Sequence, residues 1–567
     1  MRVLILITVL VAISLSFGGC AQSPRYLRVL QTSDVHGYYG APDGDGAHED
    51  VGGLRQLASL IDDERGSKKA VLLVDSGDMW SGTQLSDRNE GALGVLAYNA
   101  LGYAAAALGN HEFDYGPVGP RREGGRDPFG SLKQRLAEAD FPILAANLIE
   151  RSTQKLPQWN NLHASVVVEA GGFKIGLVGV ITEETPTITF PHVGDQLIFT
   201  DATQAVIREA TLLREKEVDL IFVLAHIGGS CREFDDPDDL SSCDQESPIF
   251  QLVRGLPSNL VDVVFGGHTH RPIAHRVDGV VVAQPGKYGR SVSVLDIRDG
   301  GDARPSITIH PPRTVKASVA TPLSQTIDTV LSKEETAVFK LRSEDLGARL
   351  VRPLDKHLET GGRLGSFLCD VLRGNYPDRE ICILNTGGLR AALAEGPLTY
   401  GQIYDVMPFG NRPAFMELTG AELRQILRIS SSGAHGPPQV SGLKLKIDRA
   451  RDACPKQDRD GDGVIRKSDR ARMTSLTLSD GTPIEDDRVY KIVTSSFLAY
   501  GGDSWRPILD RVPAERIQVL TSDLPMRDII ASWLRRERPV LDSPHLPVAP
   551  ETRVEISGVE PDVRCGP

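Results

Sequence analysis

The chain has 567 residues, of which 40% are hydrophobic and 24% are charged. That length exceeds what one hydrophobic core organises, so it predicts two or three domains of ordinary globular composition. The 63 Lys and Arg residues against 75 Asp and Glu residues leave a net charge of -12, which excludes a global attraction to nucleic acid or anionic lipid. Because only the N-terminus has a long apolar run, a polytopic membrane protein is excluded as well.

The N-terminal segment predicts export. The apolar run Val3–Phe17 is too short for a comfortable transmembrane helix and precedes Gly18, Gly19 and Cys20, as in a signal peptide. The small residues before Cys20 resemble a bacterial lipobox, which would make residues 1–19 a lipoprotein signal peptide and Cys20 the lipidated first residue; the alternative is an ordinary secretory signal with cleavage nearby. Since Ala21, not Asp, follows the cysteine, we expect an outer-membrane or cell-surface lipoprotein, or a periplasmic protein.

Short apolar runs alternate with helical patterns from Tyr26 to about Pro312. Continuous Val, Ile and Leu runs predict strands buried on both faces, and the helices between them predict a layered α/β domain. The predicted strands are Leu27–Gln31, Ala70–Val74, Ile143–Ala145, Ile175–Val180, Leu220–Ala225 and Val261–Phe265, and the predicted helices include Val51–Asp63 and Ala202–Lys216. Ligands of such domains gather at the carboxyl ends of strands.

Clusters of metal-binding residue types follow these strands. The clusters are Asp34-Val35-His36, Gly77-Asp78, Gly109-Asn110-His111-Glu112, Ala225-His226 and Gly267-His268-Thr269-His270. Imidazole, carboxylate and amide donors together suit Zn, Mn or Fe better than Ca or Mg. A lone His is usually a satisfied core or surface residue, but five clusters in this order predict a centre with donors for two metals. Two metals about 3.5–4 Å apart form a clamp for phosphate-ester hydrolysis.

The clusters and their order resemble the calcineurin-like metallophosphoesterases. The resemblance implies a four-layer α/β/β/α domain, expected over residues 26–315. It implies that one metal is held by Asp34, His36, Asp78 and His270, and the other by Asp78, Asn110, His226 and His268. It also implies that His111 contacts the leaving or phosphoryl oxygen and that Asp114 orients it. The alternative for Asp114 is an exposed loop carboxylate, and for Glu112 it is a structural residue behind the ligands.

A helix and a second domain are expected downstream. The polar segment from Thr321 to about Leu341 has helical spacing and predicts a bridging helix within a linker over residues 316–345. The second domain is expected over residues 346–556. Its motifs are Asn385-Thr386-Gly387-Gly388-Leu389-Arg390 after the predicted strand Ile381–Leu384, Pro408-Phe409-Gly410-Asn411, and Ser496-Phe497-Leu498-Ala499-Tyr500-Gly501-Gly502-Asp503.

These motifs suit a nucleotide. Glycines permit close backbone approach, Arg390 supplies a planar phosphate-binding fork, and Phe409 and Phe497 can sandwich a base. Either Phe alone is more often a core residue. Their order and spacing resemble the C-terminal domain of the 5′-nucleotidase family, which includes bacterial periplasmic UDP-sugar hydrolases.

That second resemblance implies an α+β substrate-binding domain with assigned contacts. Phe409 and Phe497 would stack the base, Asp503 would hold the ribose, and Asn385 and Arg390 would line the phosphate path. The family usually has an Arg ahead of the Leu-Gly motif, which is Leu364-Gly365 here. This chain has Thr360 or a neighbour at that place, so either Arg363 substitutes or one substrate contact is absent.

An insertion at 458–469 matches a twelve-residue Ca²⁺ loop. Its expected ligands are Asp458, Asp460, Asp462, the carbonyl of Val464, and Asp469. Asp at the last position is shorter than the usual Glu and predicts weaker binding. The alternative is a solvated acidic turn.

Six cysteines remain after Cys20, and an exported chain can oxidise them. Cys231 and Cys243 bracket an acidic loop and are the most plausible local pair. Cys369 and Cys382 stand in apolar surroundings and suit plain core positions.

The sequence therefore predicts an exported enzyme with two transition metals, Zn or Mn, that removes phosphate from nucleotides. Its partner is a small-molecule nucleotide, with no nucleic-acid polymer and with membrane contact only through a lipid anchor. One alternative is a nucleotide-sugar or dinucleotide pyrophosphatase, or a 2′,3′-cyclic-nucleotide phosphodiesterase. A remote alternative is a non-catalytic surface binding lipoprotein.

Overall fold

The computed structural model describes residues 25–40, 51–67, 70–118, 127–301, 303–316, 318–355, 362–459, 465, 467–520, 524–542 and 553–559. Several predictions therefore fall outside the described residues: the signal segment with Cys20, Thr360, Cys565, and Asp460, Asp462 and Val464 of the Ca²⁺ loop. Among the described residues, no helix is both long enough and apolar enough to cross a membrane.

The first domain contains two large sheets and one two-stranded sheet. Its strands are β1 (Tyr26–Thr32), β2 (Ala70–Asp75), β3 (Ala105–Ala107), β4 (Ile143–Leu144), β5 (Leu148–Glu150), β6 (Leu162–His163), β7 (Ser165–Ala170), β8 (Phe173–Ile181), β9 (Leu197–Phe199), β10 (Leu220–His226), β11 (Val263–Phe265), β12 (Ile273–Val277), β13 (Val280–Gln284), β14 (Ser291–Gly300) and β15 (Ala303–Thr314). One sheet has the order β15-β14-β1-β2-β3-β4-β6 and the other β12-β13-β11-β10-β8-β7, while β5 pairs with β9. The central strands of both sheets run parallel.

Helices cover the outer faces of both sheets. The helices up to the linker are α1 (Leu54–Gly66), α2 (Gln84–Asp87), α3 (Ala92–Leu101), α4 (Gly130–Glu138), α5 (Thr185–Ile188), α6 (Pro191–Gln196), α7 (Ala202–Glu215), α8 (Pro248–Arg254) and α9 (Pro322–Arg342). One apolar cluster fills the space between the two sheets, and separate clusters join each sheet to its helices. This is the four-layer α/β/β/α arrangement that the resemblance implied.

Helix α9 follows Thr321, whose side chain accepts from the backbone N–H of Ser324 in a capping box. It packs against α1 and α3, and Arg55 of α1 donates to Asp328 and Glu335. At its other end, Arg342 makes two hydrogen bonds with Asp405, at 2.9 and 2.7 Å. The helix is thereby attached to both domains.

The second domain is α+β. Its strands are β16 (Asp345–Leu350), β17 (Ile381–Leu384), β18 (Gly396–Thr399), β19 (Pro413–Thr419), β20 (Gln439–Ser441), β21 (Leu443–Asp448), β22 (Met473–Leu478), β23 (Val489–Ser495), β24 (Ile517–Val519), β25 (Val540–Leu541) and β26 (Val554–Ser557). Its helices are α10 (Arg363–Asn375), α11 (Tyr400–Val406), α12 (Gly420–Ser430), α13 (Ser496–Ala499), α14 (Arg506–Leu509) and α15 (Met526–Glu537). A five-stranded sheet of order β20-β17-β23-β19-β24 separates two apolar clusters.

Two disulfides lie within the described residues. One joins Cys231 to Cys243, the pair favoured from the sequence. The other joins Cys369 of α10 to Cys382 of β17, which corrects the expectation that these are plain core cysteines. Both side chains are fully buried, so the apolar sequence around them is accounted for, but α10 packs directly on β17 and brings the two sulfurs together.

Candidate active site

The predicted metal ligands meet where the two sheets end. Asp34 and His36 follow β1, Asp78 follows β2 and Asn110 follows β3; His226 ends β10, and His268 and His270 follow β11. All seven therefore lie at carboxyl ends of parallel strands, the position where α/β folds place ligands. Five of the seven are buried, namely Asp34, His36, Asp78, Asn110 and His226. His268 and His270 are half-buried.

The backbone at these residues is strained. The φ angles are 52° at Asp34, 50° at His36, 58° at Asp78, 74° at His268 and 61° at His270. A left-handed conformation is uncommon for residues other than glycine, and it concentrates at functional sites where the surrounding fold enforces it. Five instances in one cluster indicate that the fold holds these side chains in a required orientation.

The first group of donors comprises Asp34, His36 and His270, with one atom of each within 4.8 Å of the others. The two histidine Nε2 atoms lie 3.0 Å apart, and Nε2 of His270 is 3.5 Å from Oδ1 of Asp34. Nδ1 of His36 lies 3.0 Å from the carbonyl oxygen of Ser81. A proton on Nδ1 that is donated to this carbonyl leaves the Nε2 lone pair for a metal, as in other metal-binding histidines.

The second group comprises Asp78, His226 and His268. Nε2 of His226 lies 3.0 Å from Oδ1 of Asn110, and its Nδ1 is 2.8 Å from the carbonyl oxygen of Ser76. This ring is therefore oriented in the same way as His36, with Nε2 directed to the donors.

Asp78 links the two groups, because it also clusters with His36 of the first group. Its Oδ2 is 3.5 Å from Nε2 of His36 and 3.1 Å from Nε2 of His226, whereas its Oδ1 accepts the backbone N–H of His111 at 2.9 Å. One oxygen is fixed by the backbone and the other stands between the two donor groups. This donor set fits a pair of divalent transition metals that share Asp78.

The ionisation of the cluster follows from its burial. Burial lowers the pKa of His268 to about 4 and that of His270 to about 3, so both rings are neutral at pH 7, the form that binds metal. Burial also raises the pKa of Asp34 to about 7, although the nearby His226 opposes this.

Two buried carboxylates hold the ligand loops. Glu112 accepts the backbone N–H groups of Asp78, Met79 and Gly109, at 2.9, 2.8 and 2.7 Å. This agrees with the structural role expected for Glu112. Asp75, which the sequence analysis did not single out, accepts from Gly77 N–H at 2.7 Å and from the hydroxyls of Thr32 and Tyr98. The signal in the sequence that could have identified Asp75 is an Asp at the end of a buried strand.

His111 stands beside the donor cluster as half of a dyad. Its Nδ1 lies 2.7 Å from Oδ2 of Asp114, and the hydroxyl of Ser81 donates to the same oxygen at 2.5 Å. Burial alone would lower the pKa of His111, but the carboxylates of Asp114 and Asp78 raise it to about 10. The ring is therefore suited to carry a proton next to a bound anion.

A cavity of about 250 Å³, named here the nucleoside cavity, opens between the two domains beside this dyad. Its first-domain lining includes Ser81, Asp87, His111, Asp114, Tyr115 and Phe190, and its second-domain lining includes Asn385, Gly387, Gly388, Phe409, Asn411, Phe497, Asp503 and Arg527. The ring of Phe409 is nearly parallel to that of His111, with centroids 6.4 Å apart. Asn385, Phe409, Phe497 and Asp503 are thus brought together with the dyad.

Local packing shapes this cavity. A Cβ at position 502 would lie 2.4 Å from the ring of Phe497, so the glycine there lets the chain pass against that ring. Asp503 follows with a φ of 51°. Burial raises the pKa of Asp503, while the charge of His435 and a hydrogen bond from Asn385 oppose the shift.

Arg390 and Arg363, the two arginines predicted to bind substrate, are not among the lining residues given for the nucleoside cavity. Arg390 lines an adjacent cavity of about 700 Å³, named here the basic cavity, which also borders His36, His111 and His270. Its guanidinium carbon is 5.7 Å from the centroid of Phe409. Arg363 pairs with Asp542 and is not among the lining residues given above for the nucleoside cavity.

Comparisons with known proteins match both parts of the chain. A family model described as calcineurin-like phosphoesterase matches residues 27–272, and one described as 5′-nucleotidase, C-terminal domain, matches residues 343–511. The protein is a metallophosphoesterase, a metal-dependent phosphoric ester hydrolase. With both domains in this order, the chain belongs to the 5′-nucleotidase family.

Individual proteins are similar to this chain over most of its length. The 5′-nucleotidase of Bos taurus is 28% identical over 86% of this chain and 86% of its own length. Endonuclease YhcR of Bacillus subtilis is 26% identical over 85% of this chain, which spans only 38% of that relative. The solved 5′-nucleotidase precursor of Thermus thermophilus shares the fold, with a TM-score of 0.72 at 24% identity over 94% of this chain and 99% of the other.

Proposed function

We propose that this protein is an exported 5′-nucleotidase that removes phosphate from nucleotides with two bound divalent metals, Zn or Mn. The observation that carries the proposal is the position of Oδ2 of Asp78 between two donor groups, 3.5 and 3.1 Å from their nearest imidazole nitrogens. When bound, the metals supply Lewis-acid polarisation of the phosphoryl group and activation of water.

Side chains of the protein assist the reaction and bind the base. His111 contacts the leaving or phosphoryl oxygen, and Asp114 holds its ring through the 2.7 Å contact with Nδ1. A cationic imidazole there stabilises the negative charge that develops in the transition state. Phe409 and Phe497 hold the base by stacking, which tolerates any base because each has a π-face.

Polar groups complete the binding of the nucleotide in this proposal. Asp503 accepts hydrogen bonds from the ribose hydroxyls, and Asn385, which borders the same cavity, lines the phosphate path. Arg390 supplies a cation at the phosphate path, where it borders the same cavity as His36 and His270. Arg363 is not assigned to substrate binding in this proposal, because its guanidinium pairs with Asp542.

Phosphate release from AMP by the purified protein tests the proposal. With Mn²⁺ or Zn²⁺ we expect saturable release of orthophosphate and adenosine, loss of activity with a chelator, and two metals per chain by elemental analysis. The control is the same preparation with Mg²⁺ as the sole divalent ion. A protein that holds two transition metals per chain and releases no phosphate from any nucleoside monophosphate would contradict the proposal.

Export is proposed on two observations. The disulfides Cys231–Cys243 and Cys369–Cys382 suit an oxidising compartment, and the N-terminal segment has the pattern of a lipoprotein signal. We propose that Cys20 is lipidated and anchors the chain at an outer membrane or cell surface. Mass spectrometry of the native N-terminus checks this, and an unmodified residue at position 20 in the mature chain would contradict it.

We also propose that the insertion binds Ca²⁺ in a structural role. The sequence pattern from Asp458 to Asp469 supports it, although 460–464 lie outside the described residues. At the described end of the loop, buried Asp469 accepts the backbone N–H of Arg459 at 2.5 Å. A Ca²⁺-dependent rise in melting temperature that Asp458→Ala abolishes is the expected result.

A further inference from the structure

We propose that Asp87, Tyr404 and Arg527 are positioning residues that hold the turn of Phe409 in place against the first domain. This inference rests on the proposed nucleotidase function, in which Phe409 stacks the base. The three residues act on the substrate through Phe409 and belong to none of the motifs recognised in the sequence.

The first contact is a hydrogen bond between the two domains. The hydroxyl of Tyr404, on α11 of the second domain, donates to Oδ2 of Asp87, the last residue of α2 in the first domain. Tyr404 is only 2% exposed, so solvent competes little for this hydrogen bond. A carboxylate acceptor also makes the bond stronger than one between neutral groups. The contact therefore fixes α11, which ends three residues before Phe409, relative to the first domain.

Arg527 links this contact to the turn that carries Phe409. Its Nη1 donates to the carbonyl oxygen of Pro408, the residue before Phe409, at 2.5 Å. Its guanidinium carbon lies 4.5 Å from the ring centroid of Tyr404, which is a cation–π geometry. One guanidinium therefore contacts both the ring that reaches Asp87 and the backbone next to Phe409.

The charges of Asp87 and Arg527 complement each other across the domain boundary. Both side chains line the nucleoside cavity, one from each domain. Loss of solvent raises the pKa of Asp87, and the positive charge of Arg527 opposes that rise, so the two groups lie near enough to interact. Because a charge removed from water is costly without a partner, each domain supplies the counterion that the other needs.

On the first-domain side, Asp87 is connected to the dyad. Its Oδ1 accepts from the hydroxyl of Tyr115 at 2.9 Å, and that hydroxyl accepts the backbone N–H of Ser81 at 2.9 Å. The side chain of Ser81 donates in turn to Asp114, the partner of His111. The turn that Asp87 helps to hold is therefore placed relative to the dyad by a continuous series of contacts.

A second contact between the domains gives a comparison. Arg506 of the second domain pairs with Asp195 of the first, with a distance of 3.1 Å between Nη2 and Oδ1. Both side chains are about half exposed, and exposed ion pairs contribute little to stability. Neither residue is among the lining residues given for the nucleoside cavity. This ion pair therefore joins the domains without a contact to the turn of Phe409.

Steady-state kinetics of Tyr404→Phe tests the inference on the metal-loaded enzyme. The substitution removes one hydroxyl and keeps the ring beside Arg527. We expect KM for AMP to rise about fivefold, because the lost hydrogen bond has a charged acceptor, while KM for p-nitrophenyl phosphate changes much less. A KM for AMP within about twofold of the wild type would overturn the inference, and so would equal increases for both substrates.

A combined variant shows whether Tyr404 acts through Phe409. In Phe409→Ala the stacking ring is already absent, so adding Tyr404→Phe should raise KM for AMP by less than about twofold more. A merely structural role of Tyr404 does not predict this dependence. A further rise as large as that caused by Tyr404→Phe alone would mean that the two residues act independently, and it would overturn the positioning role.

Variants of two aspartates at the domain boundary complete the test. Asp87→Ala removes the acceptor of Tyr404 and should raise KM for AMP at least as much as Tyr404→Phe, which decides the matter if Asp87→Ala does not fold. Asp195→Ala is the matched control and should keep KM for AMP within about twofold of the wild type. An equal rise in Asp195→Ala would overturn the inference, since any contact between the domains would then have the same effect. Failure of the wild type to cleave AMP would instead overturn the proposed function.

Discussion

The metal-ligand cluster and the nucleoside cavity are built in different ways. Every proposed metal ligand belongs to the first domain and stands within a few residues of a strand end, with Glu112 and Asp75 holding the loops from behind. The nucleoside cavity takes its walls from both domains, with His111 on one side and Phe409 on the other. The proposed reacting centre is therefore preorganised by one fold, whereas the proposed binding of the base would depend on how two domains are placed together.

The largest expected effect is on the dyad of the first domain. His111→Ala should lower kcat for AMP by about 10²- to 10⁴-fold, since it removes a group that assists the transition state. Metal content should stay at the wild-type level, because His111 is not one of the proposed ligands. Steady-state kinetics and elemental analysis on the same preparation check both statements, and a kcat equal to the wild-type value would refute the role.

The next largest effect is expected at Glu112, which supports the ligand loops and is not itself a proposed metal ligand. Glu112→Ala should weaken metal binding about 10- to 100-fold, because three backbone N–H groups of the ligand loops lose their common acceptor. Titration of the apoprotein with Zn²⁺ measures this. Glu217→Gln changes an exposed carboxylate elsewhere in the first domain and should bind metal like the wild type. Wild-type affinity in Glu112→Ala would mean that the loops hold their shape without this residue.

A smaller effect is expected at the second domain. Phe409→Ala should raise KM for AMP about tenfold while changing KM for p-nitrophenyl phosphate much less, since only the nucleotide has a base to stack. Phe339→Ala, a change at a phenylalanine that is 75% exposed on α9, is the matched control and should alter neither value. Parallel increases for both substrates in Phe409→Ala would argue against base stacking.

The smallest effect is expected at Arg363. Because its guanidinium pairs with Asp542 and not with the nucleoside cavity, Arg363→Gln should leave KM for AMP within about twofold of the wild type. Arg352 also pairs with Asp542, so the buried carboxylate keeps one cationic partner in this variant. A large rise in KM would show instead that Arg363 reaches the substrate during turnover.

Several core strands of the fold could be predicted from hydrophobic runs. The predicted Leu27–Gln31, Ala70–Val74 and Ile381–Leu384 agree closely with β1, β2 and β17, since Val, Ile and Leu favour strands. Strand β3 was missed because its three residues are alanines, which are depleted in strands. The Asn110 cluster could still be placed from its neighbours in the pattern, so the missed strand did not hide the candidate ligand.

What the sequence by itself determined is the chemistry available and its order along the chain: Asp, His and Asn at strand ends, a His–Asp pair three residues apart, and aromatic residues beside glycines. Only the tertiary structure decided which atoms meet. It placed Oδ2 of Asp78 between His36 and His226, joined Cys369 to Cys382, and directed Arg363 to Asp542. The physical reason is that such contacts join residues far apart in the chain, so local propensity and spacing carry no information about them until the sheets and domains have packed.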